Sequence, residues 1–107
     1  MKFDSDRAYD ALIKSGEDWA DKDAAASLLE ETKKSMLAKV KNDVPEKSDA
    51  AKETIALCHP DYLDHLGLMV EARKAANKAK VRYDSAKTLA EMRRSEESTR
   101  RAEMTLR

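Results

Sequence analysis

Apolar positions recur with a helical period along most of the chain, most regularly between Pro60 and Arg107. Tyr62, Met69, Ala76, Tyr83 and Ala90 are spaced by sevens, and three residues on runs a second column of His65, Ala72, Ala79, Ala86, Arg93 and Arg100. Two such columns form the a/d seam of a helix that packs along its length on another helix, here with alanine at its middle. Leu63, Leu66 and Val70 widen the apolar face near the start. No glycine follows Gly67, and Pro60 suits a first helical turn, where its missing N–H is no loss. Asp61 and Asp64 add negative charge where the helix dipole favours it. The pattern predicts one helix over 60–106. From Arg93 onward the seam turns polar, and support comes from Glu96–Arg100, Glu97–Arg101 and Glu103–Arg107, i,i+4 pairs worth roughly 0.2–0.5 kcal/mol each. Such a helix is about 70 Å long at 1.5 Å per residue, so it needs a partner, from this chain or a second copy.

Upstream the periods are shorter. Residues 1–14 predict a short helix, capped by Asp4 or Ser5 and stapled by Phe3, with Tyr9, Leu12 and Ile13 on one side. Ser15-Gly16 is expected to interrupt it. A second helix over 17–42 carries the stripe Ala25, Leu29, Thr32, Met36 and Val40, with Leu28 and Leu37 on its shoulders and Trp19 at its start. Glu30–Lys34 and Asp18–Lys22 are its expected surface pairs. Val44-Pro45 stops it, because the residue before proline is pushed out of the helical region. Ser48 caps a third segment, 49–57, anchored by Ile55. At Cys58-His59-Pro60 the chain either breaks or kinks into the long helix, and a break or sharp kink is favoured. The fold class is all-α: an elongated antiparallel helical hairpin or coiled coil with one long C-terminal helix, in a single helical domain, 1–107.

Composition supports that reading. Ala, Glu, Lys, Leu and Arg supply 58 of the 107 residues, the signature of long helices. Leu, Ile, Val and Phe total only 17, so one chain buries a thin core and a homodimer through the alanine seam is expected. The seam assigned to a partner comprises Tyr62, Leu66, Met69, Ala72, Ala76, Ala79, Tyr83, Ala86 and Ala90. Charge is balanced overall but sorted. Residues 1–31 hold 4 basic and 9 acidic groups, net −5, and residues 72–107 hold 11 and 5, net +6. The two ends can therefore attract one another. Cys58 is the lone cysteine, no apolar run is long enough to span a bilayer, and MKFDSDRAYD lacks a signal-peptide core. The expectation is a cytoplasmic protein with no membrane contact.

Little in the chain suggests catalysis. Cys58, His59 and His65 are the soft ligands, yet adjacent Cys-His chelates poorly and a zinc site wants four ligands. His65 is expected to pair with Asp61, one turn away. No base or oxyanion site accompanies Cys58, and no glycine-rich phosphate loop is present. The reading is of no enzyme, no catalytic residue, no metal and no cofactor. The basic residues are more suggestive. Arg73, Lys74, Lys78, Lys80 and Arg82 follow one another with no acid between them, and Lys87, Arg93, Arg94, Arg100 and Arg101 continue the series. Such a stripe can meet nucleic-acid phosphates or acidic protein. Neutralisation by the acidic N-terminal third is the favoured reading, since the net charge is zero and no aromatics are interleaved between Arg73 and Arg82 to stack on bases.

The block SDAAKETIALCHPDYLDHL, an Ala/Arg/Lys helix and then MRRSEESTRR resembles a group of small coiled-coil proteins of tailed phages and prophages, often encoded in recombination neighbourhoods. Ser48, Ala50, Tyr62, Leu66, Arg94, Ser95, Arg100 and Arg101 carry the resemblance, over about residues 48–103. Met92-Arg93 stands where that group has tryptophan. The resemblance implies a phage-derived binding or adaptor protein in the bacterial host, acting in phage DNA metabolism or on a host factor through a protein partner. Direct nucleic-acid binding by the stripe is the alternative.

Overall fold

In the computed structural model the described residues, 5–45 and 48–106, form four helices and no strand. They are α1 (Ser5–Glu31), α2 (Lys33–Asn42), α3 (Asp49–Leu57) and α4 (Pro60–Leu106). The protein is all-α, with one long C-terminal helix of 47 residues. Among the described residues no helix is long and apolar enough to cross a membrane.

The expected interruption at Ser15-Gly16 does not occur. α1 runs through it, because Ser15 Oγ donates to the Leu12 carbonyl at 3.0 Å and so remains satisfied within the helix. The half-buried positions Ala8, Leu12, Ser15, Gly16 and Trp19 keep a helical period across the glycine, whereas Tyr9 and Ile13 are exposed. The break falls at Thr32 instead. Thr32 Oγ1 donates to the carbonyls of Leu28 (2.8 Å) and Leu29 (3.3 Å), a side chain competing with the backbone ladder. Ala26 rather than Ala25 is the buried alanine of α1, and Leu28 is exposed. The roles expected of Phe3, Asp4, the Ser5 side chain and Arg107 lie outside the described residues.

Packing divides the chain into two compact units: Asp21–Ala76, and the described residues through Ala20 together with those from Asn77. In the Asp21–Ala76 unit, Val40 of α2, Ala56 of α3 and Tyr62 of α4 form the core, with Met36, Leu37 and Leu66 packed against it. Ala56 is fully buried and the expected anchor Ile55 is 43% exposed, so α3 presents its small residue inward and approaches α2 closely. Ser48 caps α3 by accepting from the Ala51 N–H at 3.5 Å. The α3–α4 connection is a break: Cys58 caps α3 and α4 begins at Pro60. In the same unit α1 and α4 run antiparallel, since His65 meets Leu29 and Arg73 meets Asp23. In the other unit Tyr83 meets Trp19 and Gly16, and Arg82 meets Asp18, again with opposite chain directions.

Candidate interaction surface

The most densely bonded polar group of the Asp21–Ala76 unit is Arg73. Its Nε donates to Glu30 Oε1 at 2.7 Å and its Nη1 to Asp23 Oδ1 at 2.6 Å. Its Nη2 donates to Glu30 Oε2 at 3.0 Å and to Ser27 Oγ at 3.3 Å. Asp23, Ser27 and Glu30 are one and two turns apart on α1, so a planar guanidinium fork spans them all, which an ammonium cannot do. Hydrogen bonding to Arg73, above all, holds the Glu30 carboxyl below its ordinary 4.5. The bonds to Glu30 and then Asp23 raise Arg73 further above its usual value. Glu30 therefore serves Arg73 across the helix pair, in place of the local Lys34 contact expected for it.

In the other unit the aromatic residues do the joining. Trp19 and Tyr83 stack with ring centroids 5.4 Å apart, and Lys80 Nζ stands 5.8 Å from the Trp19 ring centre, within cation–π range. A Cβ placed on Gly16 would lie 3.2 Å from Tyr83 Cε2, so the glycine serves close approach rather than chain reversal. Arg82 reaches Asp18 at 3.5 Å. Sequence reading missed this cluster, although Gly16 and Trp19, i and i+3 on a helical face, together with Tyr83 on the seam, carried its signal.

The basic series is thus drawn into different work. Arg73 and Arg82 bind acids of α1, Lys80 lies against Trp19, Arg93 pairs with Glu96 at 3.8 Å and Arg101 with Glu97 at 3.5 Å. Glu96 faces back to Arg93, where Arg100 was expected. Lys74, Lys78, Lys87, Arg94 and Arg100 are not tied to α1 in this way, and all five are exposed. Of the seam, Tyr62, Ala76 and Ala79 are buried by this chain itself, while Leu66, Met69, Ala72, Tyr83, Ala86 and Ala90 are half-buried beside them. Its middle is already occupied by intramolecular packing.

His65 is buried, and its Nε2 lies 2.8 Å from the Leu29 carbonyl rather than against Asp61. Asp61 turns to His59, whose Nδ1 accepts from the Asp61 N–H at 3.1 Å. Cys58 is exposed, and among the described residues no three metal-ligating side chains converge.

Large apolar side chains remain in solvent: Leu63, Leu68 and Val70 in one unit, Val81, Leu89 and Met92 in the other. The last three, with Asp84, Ser85 and Thr88, line an open groove of about 500 Å³ along α4. These features define an all-α protein of antiparallel helix pairs, with α4 apolar on more than one face. No family model, no curated protein and no solved structure matches the chain.

Proposed function

We propose that this protein is a non-enzymatic protein-binding or adaptor module of phage origin, working in the cytoplasm of the bacterial host in phage DNA metabolism or against a host factor. The observation that carries the binding mode is the Arg73 clamp. Arg73, at the start of the basic stripe, is neutralised by Asp23 and Glu30 of the same chain, while apolar side chains on α4 stay exposed. A surface with paired arginines and unpaired aliphatic residues suits a protein partner better than a phosphate backbone. The phage setting rests on the residues shared with that group, from Ser48 to Arg101.

Fluorescence anisotropy with labelled single- and double-stranded DNA at low and physiological salt tests the binding mode. The expected result is no saturable binding at micromolar protein at physiological salt. Micromolar binding that disappears in Arg73→Glu/Lys80→Glu with unchanged helicity would establish the nucleic-acid reading instead. Affinity purification from lysogenic or infected cells, repeated with Leu68→Glu/Val70→Glu, tests the partner. A stoichiometric protein captured by the wild type and lost by the variant is the expected outcome.

A further inference from the structure

Gly67 is a costly residue that this chain does not use. Glycine is, after proline, the poorest helix former. Gly67 nevertheless stands inside α4, without a positive φ, and nothing lies within 4 Å of the Cβ it lacks. Gly16, by contrast, makes room for Tyr83. At 100° per residue Gly67 lies about 180° from the buried Ala76, so it faces away from the packing of the Asp21–Ala76 unit.

Its four neighbours one turn away are sorted by chemistry. Leu63 and Val70, 50% and 59% exposed, stand on one side of Gly67. Asp64 and Glu71, both exposed, stand on the other. Neither carboxylate is paired with any described residue. Arg73 is committed to Asp23 and Glu30, and Lys74, seven residues after Gly67, closes the far end of the same face. The result is a shallow trough on α4, with no side chain on its floor, one aliphatic wall and one acidic wall.

A floor without a side chain lets a second backbone approach more closely than any other residue would permit. A helix brings apolar side chains to one wall and charges to the other over the two turns involved. We propose that this trough docks a partner helix that carries a stripe of apolar and small residues, with lysine or arginine along the edge that meets Asp64 and Glu71. The acidic wall repels nucleic-acid phosphates, which sets this face apart from the basic stripe. The inference rests on the protein-binding reading and gives its partner a chemistry.

A displayed library of helical peptides tests it, with a fixed stripe of leucine and alanine and with edge positions varied among lysine, glutamate and glutamine. Selection on the wild-type chain enriches lysine along one edge. The enriched peptide, labelled for fluorescence anisotropy, is expected to bind about ten-fold or more weakly to Gly67→Leu and to Asp64→Lys/Glu71→Lys. The same peptide with glutamate in place of its edge lysines recovers binding to the double variant. Gly67→Leu adds its side chain on the solvent side and replaces a poor helix former. Its melting temperature therefore equals or exceeds that of the wild type, so weaker binding is not lost folding. No enrichment, enrichment of glutamate, or undiminished binding to Gly67→Leu would each overturn the proposal. Self-association of the wild type that Gly67→Leu abolishes would also overturn it and give the trough to a second copy. A cellular protein captured by the wild type, lost by Leu68→Glu/Val70→Glu and kept by Gly67→Leu would leave the protein-binding reading standing and remove the trough from it.

Discussion

The two glycines show how one residue type takes opposite roles on helices. A helical glycine costs roughly 1 kcal/mol relative to alanine. Gly67 has nothing within 4 Å of a would-be Cβ, so Gly67→Ala is expected to raise the unfolding free energy by about that 1 kcal/mol. At Gly16 the added methyl meets Tyr83 at 3.2 Å, and Tyr83 is held by its stacking on Trp19. Gly16→Ala is therefore expected to gain nothing or to destabilise, with quenched or shifted Trp19 fluorescence. Urea titration of the two variants side by side checks both. The Arg73 clamp gives a pH signature. Glu30 titrates lower in the folded chain than in the unfolded one, so its contribution is complete above the unfolded value and is lost as pH falls through the depressed folded value. The difference in melting temperature between wild type and Glu30→Gln should be present at pH 7 and shrink progressively below about pH 4. Arg73 stays charged across that range and adds no slope of its own.

At the scale of elements, one carbonyl organises the junction of α1 and α2. The Leu29 carbonyl lies 2.8 Å from His65 Nε2 and also accepts from Thr32 Oγ1, and α1 ends at Glu31, two residues later. Donors from outside the ladder at this carbonyl, and the Thr32 hydroxyl at Leu28, account for a break where propensity alone would continue the helix. His65 thus ties the α1–α2 junction to α4. His65→Ala should destabilise by about 1–3 kcal/mol, because a buried side chain and its hydrogen bond to the Leu29 carbonyl are lost together. His65→Gln, which keeps a donor near the same place, should recover part of that. Thermal unfolding at pH 7 and amide exchange at residues 30–36 would reveal both effects, and equal losses for the two variants would remove the hydrogen bond from the account.

At the scale of the molecule, sorted charge holds the helix pairs within each unit. The acidic residues of α1 and the basic residues of α4 meet at Asp23–Arg73 and Glu30–Arg73 in one unit and at Asp18–Arg82 in the other. The chain as a whole is neutral, so net repulsion is absent and salt acts mainly by screening these attractions. Raising sodium chloride from low to high concentration is expected to lower the unfolding midpoint. Arg73→Gln, already deprived of its charge, should respond less. A midpoint that rises with salt would mean that apolar burial outweighs these pairs.

Signals carried by neighbours in sequence were legible. Pro45 and Pro60 bound elements, Ser48 caps α3, and an alanine-rich heptad runs as one helix from Pro60, because each acts within a turn or two of itself. The sorted charge also pointed to contact between the acidic N-terminal third and Arg73. The tertiary structure decided which side of each helix faces inward and which partner each polar group takes. Sequence offers Glu30 a lysine one turn away and His65 an aspartate one turn away. A packed neighbour instead supplies a guanidinium fork bidentate to Glu30 and, for His65, a part-buried carbonyl at 2.8 Å. Likewise Gly16 reads locally as a stop and Ile55 as an anchor. Rotation of α1 and α3 about their axes, set by Tyr83 against Gly16 and by close packing at Ala56, makes the glycine a point of contact and leaves the isoleucine at the surface.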